Sequence, residues 1–311
     1  KPSRLREKLR LPNLYLKDDT GLPTGSLKDR ASALVAAFAS RHGVSNIVVA
    51  STGNAASSMA GVGAAAGLTV TIFVPGSVPR AKLVQSLQYG ARVEVVDGSY
   101  DEAYQASLRH VERHGGMCRN TAYNPMTIEG KKSVLLEIFD QLGRVPDVLF
   151  VPTGDGVILG GVYKGLEDLL ALGLSETMPT VYAVQASGSD AISRAFEKGD
   201  FEPNRPVATL ADSISVGVPA NGYGAVRKLR KHDGRCVEVS DEQILDAQLA
   251  LSRETGLFAE PAAAASYAGL IAVREKLSPD AVIVLLVTGS GLKDIDSASR
   301  LLTLPTGPTH E

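Results

Sequence analysis

Four short segments of this 311-residue chain bring together residue types that can do chemistry on an amine or a phosphate. The first is Pro23-Thr24-Gly25-Ser26-Leu27-Lys28-Asp29-Arg30, a Gly- and Pro-containing loop that delivers a Lys to the start of a helical pattern. The positive end of a helix dipole disfavours a second positive charge, which suits a Lys that acts as a nucleophile. The second, Ser51-Thr52-Gly53-Asn54-Ala55, opens another helical stretch with small polar residues whose backbone N–H groups can receive a carboxylate. The third, Gly154-Asp155-Gly156-Val157-Ile158, sits in a glycine-containing turn that can aim several amides at one phosphate. The fourth, Thr288-Gly289-Ser290-Gly291, puts hydroxyls beside glycines that let a flat ring approach. Each segment alone also reads as an ordinary turn with an N-cap. Lys164 and Lys293 would qualify as helix-start lysines on similar grounds, so spacing alone does not select Lys28.

Each of the four segments follows a short aliphatic run: Leu14 to Leu16, Ile47 to Ala50, Val148 to Val151 and Val282 to Val287. Further runs are Val70 to Val74, Val93 to Val96 and Val181 to Gln185. Between them lie helical patterns at Ala31 to Ala39, Asn54 to Ala66, Ile158 to Leu170 and Asp241 to Glu254, with an Ala-rich stretch at Ala262 to Ala265. Strand-like runs alternating with helices predict an α/β protein in which ligands sit beyond the carboxyl ends of parallel strands. The expected architecture is two lobes, each a mostly parallel twisted sheet flanked by helices. The polar stretch Asn120 to Gly130, where both periodicities lapse, reads as the return crossing between them. Phe201 to Val207, with Pro203 and Pro206, reads as an irregular loop.

Composition narrows the function classes. Lys and Arg total 32 against 34 Asp and Glu, scattered rather than clustered, so no basic field for nucleic acid is expected. No apolar run approaches the roughly 20 residues of a membrane span, and a soluble, cytoplasmic protein is the expectation. Cys118 and Cys236 give neither a disulfide framework nor a metal spacing and read as reduced core residues. His110 and His114 lie at helical spacing without the HExxH pattern of a metal site and read as a solvated helix face; no metal is expected.

On these residues the chain resembles the threonine synthases and their relatives among the fold type II pyridoxal-phosphate enzymes, over nearly its whole length. The resemblance implies that Lys28 carries pyridoxal 5'-phosphate as a Schiff base, and that Asn54 faces the cofactor's phenolic oxygen. It implies further that Ser51, Thr52, Gly53 and Ala55 receive the substrate carboxylate, that Gly154, Asp155, Gly156, Val157 and Ile158 cradle the cofactor phosphate, and that Thr288 meets the pyridine nitrogen. Tyr89-Gly90-Ala91 and Gly256-Leu257-Phe258-Ala259-Glu260-Pro261-Ala262 are further family-like stretches. The implied organisation is a larger cofactor-binding unit at 1–35 plus 131–311 and a smaller mobile unit at 36–130, in a homodimer acting on a small amino acid. The implied reaction takes O-phosphohomoserine and water to threonine and phosphate. Glycine spacing in 154–161 lacks the G-x-G-x-x-G of a dinucleotide enzyme, and the next strand ends in Gln185-Ala186-Ser187 where an acidic ribose partner would stand. A binding protein that has lost turnover is the other competing class, and intact Lys28, Asn54 and Thr288 speak against it.

The pattern departs from the family at the grip on the substrate phosphate. Family members usually carry Asn-Pro-x-Arg with a Ser just before it, whereas here Asn124-Pro125-Met126-Thr127 puts Thr127 in the Arg position and Ala122 in the Ser position. A charge-assisted hydrogen bond to a phosphate is worth about 1.5–3 kcal/mol, so another cation must replace the Arg or the leaving group differs. Elimination or replacement on another amino acid is therefore the alternative reaction. Arg119, Lys131 and Lys132 are the nearby candidates, and they read equally as a solvated charge cluster. The family's Gly-x-Thr-Pro-Leu segment does not precede the first strand, as expected of a chain trimmed at its beginning.

Overall fold

A computed structural model describes residues 2–202 and 206–303. In chain order its elements are α1 (Ser3–Leu9), β1 (Leu14–Asp18), α2 (Lys28–Arg41), β2 (Asn46–Ala50), α3 (Asn54–Ala65), β3 (Thr69–Pro75), α4 (Arg80–Gln88), β4 (Arg92–Val96), α5 (Tyr100–His114) and β5 (Met117–Cys118). They continue as α6 (Met126–Lys131), α7 (Ser133–Leu142), β6 (Val148–Pro152), α8 (Val157–Ala171), β7 (Thr180–Ala186), α9 (Ala191–Lys198), α10 (Gly222–Lys231), β8 (Arg235–Val239), α11 (Asp241–Thr255), α12 (Pro261–Val273), β9 (Ile283–Val287) and α13 (Ile295–Ser299).

The strands form two sheets, both parallel throughout. One has the order β1-β9-β6-β7-β8 and the other β4-β3-β2-β5. The chain is an α/β protein of helix-flanked parallel sheets, as its alternating pattern predicts.

The aliphatic runs are continuous because both faces of each sheet are covered. In β9, Ile283, Leu285 and Val287 enter a core shared with α11 and α12, while Val284 and Leu286 enter one shared with α7 and α8. The smaller sheet divides likewise: Ile47 and Val49 pack with Val35 and Met59 from α2 and α3, and Val48 and Ala50 pack with Ala103 of α5. α12 is buried almost all round, and Pro261 fits its first turn because no N–H is needed there.

Two strands escape the sequence pattern. β5 has two residues, and β8, at a sheet edge, reads Arg-Cys-Val-Glu-Val with its charges exposed. The crossing at 120–130 is corrected too: its second half is helical, because Pro125 stands just before α6 at the position where a helix tolerates it. Cys118 is buried and Cys236 is half-buried, and both are free. The reading of His110 and His114 as a solvated face holds for His114 only, since the His110 ring also packs 5.3 Å from that of Phe73. Of the irregular loop at 201–207, residues 203–205 lie outside the described residues, and its flanks carry no helix or strand.

Candidate active site

β1 and β9 are hydrogen-bonded neighbours, so the loops that follow them leave the same edge of the larger sheet side by side. Leu27 N donates to Thr288 O at 2.8 Å and Ser290 N to Gly25 O at 2.9 Å, which seats Lys28 and Thr288 on adjoining backbones. Asp29 anchors the turn before Lys28 by accepting from Thr24 N at 2.7 Å and from the Thr24 hydroxyl. Lys28 is the first residue of α2 and is half-buried, and among the described residues its Nζ makes no hydrogen bond or ion pair.

Asn54 opens α3 beyond the carboxyl end of β2. Its Nδ2 donates to the Glu260 carboxylate at 2.9 and 3.0 Å and to Ser213 Oγ at 3.1 Å. Glu260 N donates to Gly289 O at 2.9 Å, so Asn54 is tied through one side chain to the Thr288 segment. Glu260 is buried, and burial raises its pKa above the ordinary carboxylate range while the Asn54 amide and the charge of Lys28 pull against that rise. The residue preceding, Ser213, leads into Ile214, whose Cα would lie 2.7 Å from a Cβ added at Gly154, so the α8 turn belongs to the same circle of contacts.

Two helix N-termini face this circle. At α3, Ser51 Oγ accepts from Gly53 N, and the N–H groups of Thr52, Asn54 and Ala55 have no acceptor among the described residues. At α8, Asp155 Oδ1 takes Val157 N–H at 2.9 Å, and the N–H groups of Gly154, Asp155, Gly156 and Ile158 have none. Gly156 is left-handed, with φ of 78°, the conformation that turns successive amides toward one point.

The structure thus joins Lys28, Asn54, the Gly154 to Ile158 turn and Thr288, with the Ser51 to Gly53 turn at the rim. Glu260 and Ser213 are partners that sequence reasoning did not assign. For Glu260 the signal was a carboxylate placed just before Pro261 at the head of an uncharged, mostly apolar helix. Of the other lysines considered, Lys164 pairs with Asp168 and Glu129, away from these loops. Lys293 reaches across to Ser57 Oγ at 3.1 Å and Gln85 Oε1 at 2.9 Å, bridging to α3 and α4.

The charge cluster near the crossing is not solvated. Arg119 and Lys131 are both 0% exposed, because α6 lies against α2 so closely that a Cβ at Gly130 would meet Arg30 O at 2.4 Å. Lys132 alone is partly exposed, pairing with Glu129 at 2.7 Å and Asp168 at 2.9 Å. Thr127 is 0% exposed, and its hydroxyl donates to Asn124 O and accepts from Ala122 N. Among the described residues there is no cluster of His, Cys, Asp and Glu able to hold a metal, and no helix long and apolar enough to cross a membrane.

A small anionic aldehyde such as pyridoxal phosphate fits these residues. Four unpaired amides at α8 match a phosphate, and the unpartnered Lys28 amine matches a carbonyl carbon. Comparison with known proteins agrees: the family described as pyridoxal-phosphate dependent enzyme matches residues 1–289. The threonine synthase of Methanocaldococcus jannaschii is 35% identical over 302 residues, covering 95% of this chain and 74% of that protein. The threonine synthase of Synechocystis is 36% identical, covering 92% and 73%. Among solved structures, the processed threonine deaminase isoform 2 of Solanum lycopersicum superposes with a TM-score of 0.80 at 23% identity, covering 93% of this chain and 77% of that one. Maize serine racemase superposes with a TM-score of 0.81 at 21% identity, covering 93% and 86%. At these identities the two structures speak for the fold.

Proposed function

The chain belongs to the pyridoxal-phosphate dependent enzymes and is a lyase that uses this cofactor, and from that premise we propose that it converts O-phosphohomoserine and water into threonine and phosphate. The observation that carries the reading is the free Lys28 amine, set where the α3 turn, the α8 turn and Thr288 converge. Likeness to named threonine synthases over more than nine-tenths of the chain supports the choice of reaction.

When bound, pyridoxal phosphate supplies a ring that withdraws electrons from the substrate's Cα. Lys28 holds that group and, with its Nζ free during turnover, carries the proton taken from Cα. The unpaired N–H groups of Thr52, Asn54 and Ala55 bind the substrate carboxylate, strengthened by the positive end of α3. Glu260 and Ser213 hold the Asn54 amide in place, so that it orients the ring through its phenolic oxygen. The Gly154 to Ile158 turn cradles the cofactor phosphate. Thr288 offers the ring nitrogen a neutral hydroxyl, which does not hold a proton there as a carboxylate would; this favours loss of a leaving group over transamination. Over the whole change Cα gives up a proton and regains one, Cβ loses a proton, and the Cγ–O bond breaks with its electrons leaving on phosphate. Cγ takes up a proton to become the methyl group, and water adds its hydroxyl at Cβ while its other proton goes to phosphate.

A specific observation favours a second reading. Thr127 is buried with its hydroxyl engaged, so it offers no grip on a phosphate in the place where the resembled enzymes carry Arg. Elimination from an amino acid with a different leaving group is the reaction that follows from this. Phosphate release from O-phosphohomoserine is measured beside ammonia release from serine, threonine and diaminopropionate. Phosphate release with threonine formation is the expected result, and ammonia release without it transfers the assignment to the second reading. A cytoplasmic homodimer is part of the same proposal, and sedimentation of the purified enzyme tests its assembly state.

A further inference from the structure

We propose that Arg119 and Lys131 form a buried receptor for the phosphate group of the substrate, taking over a grip that Thr127 and Ala122 do not supply; the proposal rests on the threonine synthase reading.

Burying an ammonium ion costs several kcal/mol unless it is paired, and such groups are almost always compensated. Lys131 is 0% exposed, and among the described residues its Nζ has no hydrogen-bond partner. Other buried charges near the site are compensated: Asp19 by Arg30, Asp29 by Thr24, and Glu260 by Asn54. Arg119 is equally buried, and among the described residues its guanidinium donates hydrogen bonds to hydroxyls alone, Thr121 Oγ1 at 3.0 Å and Ser32 Oγ at 3.4 Å. Among the described residues no carboxylate forms an ion pair with either group.

The two cations come from different elements. Arg119 lies just past β5, with its N–H on Val48 O at 2.7 Å, at the same end of the smaller sheet as the Ser51 to Ala55 turn. Lys131 closes α6, pressed between α2, which begins with Lys28, and α8, where a Cβ on Gly161 would lie 2.8 Å from its own. The charges that act on Lys131 are those of Lys28, Asp155 and Arg119, and the carboxylates that act on Arg119 are Asp155 and Asp29, so these groups share one neighbourhood. Burial pushes the Lys131 ammonium well below the ordinary lysine range, and that of Arg119 only to about 10, so Arg119 keeps its charge at neutral pH. Asp155 is itself engaged with Val157 N–H. A phosphate monoester brings a charge of about −1.5 to −2 and strong acceptor oxygens, which suits a buried guanidinium and a buried amine without an ion-pair partner. The cofactor phosphate already has the unpaired amides of α8, which leaves the substrate phosphate as the group these side chains fit.

The test uses holoenzyme and inorganic phosphate, titrated by calorimetry, with chloride at equal ionic strength as reference. Phosphate is expected to bind and to raise the melting temperature above the chloride value. Lys131→Met and Arg119→Gln are each expected to weaken phosphate binding roughly 10- to 100-fold, the span of one charge-assisted hydrogen bond, and to leave the affinity of apoenzyme for pyridoxal phosphate unchanged. Lys131→Met is further expected to melt higher than the parent without phosphate, because a buried amine without a partner is gone; a merely structural Lys would give the opposite shift. Lys131→Gln serves the same purpose if the Met variant does not fold. Phosphate that stabilises the parent no better than chloride overturns the proposal, and so do variants that lose cofactor affinity instead of phosphate affinity. Phosphate binding that depends on Lys131, in an enzyme that releases no phosphate from O-phosphohomoserine, upholds the receptor and removes the threonine synthase reading.

Discussion

Lys28 and Lys293 stand on either side of one loop, and their surroundings assign them different work. Lys293 spends its ammonium on Ser57 and Gln85, whereas Lys28 is uncommitted. Lys28→Ala is expected to abolish the visible absorption that reconstitution with pyridoxal phosphate gives the parent. It should also lower kcat/KM by at least about 10²- to 10⁴-fold, the range of a lost general base; Lys293→Ala should keep the absorption. That the segments of Lys28, Asn54 and Thr288 come together was legible because small residues and glycines after aliphatic runs mark strand ends in a parallel sheet, whereas preferring Lys28 to Lys164 and Lys293 took the family resemblance. The state of Lys131 was not legible. Whether a Lys meets water depends on how closely α6 approaches α2 and α8, through Gly130 and Gly161, and neither glycine is distinguished locally from one in a turn.

At the scale of elements, the site depends on α8 beginning where it does. Gly156 precedes its first residue, and the left-handed backbone there is one that a side chain enters at a cost of about 1–2 kcal/mol. A Cβ at this position would also meet Ala225 Cβ at 2.9 Å and Asn221 O at 3.0 Å. Gly156→Ala is expected to lower stability by at least that amount and to weaken cofactor binding more than tenfold, read by thermal melts and by titration of apoenzyme. Strand periodicity revealed the buried strands because their neighbours cover both faces. It missed β8, whose Arg235 and Glu238 face water at an edge, and β5, whose two residues are too few to show a period.

Across the whole molecule, side chains that join the elements around the two sheets include Asn54 on Glu260 and Ser213, Lys82 on Asp212, Lys293 on Ser57 and Gln85, and Gln85 on Thr24 O. We propose that residues 36–130 move as a unit over bound substrate, excluding water from reactive species. Slower amide exchange in α3 and α4 on adding substrate supports this, and exchange unchanged by substrate removes it.

A second network ties α2 to α7, where Arg30 pairs with Asp19 and with Glu137 at 2.7 Å. The hydrogen bond from Arg30 holds the Glu137 carboxyl down at about 2, below its usual 4.5. A depressed acid contributes stability that is present above the unfolded value and is lost as pH falls toward the folded one. Glu137→Gln is therefore expected to melt below the parent at pH 7 and to match it by about pH 2. The neutral-pH gap should be about 1 kcal/mol or less, since Glu137 is 47% exposed and water screens the pair.

Leu14 to Asp18 pair residue by residue with Ile283 to Val287, so the earliest strand of the sheet closes against the latest. During synthesis, Lys28 leaves the ribosome long before Thr288 exists to stand beside it. Contacts so distant along the chain form slowly and late. Capture of the cofactor must then be among the final events of maturation, and a nascent or interrupted chain carries Lys28 without the strand that completes its surroundings.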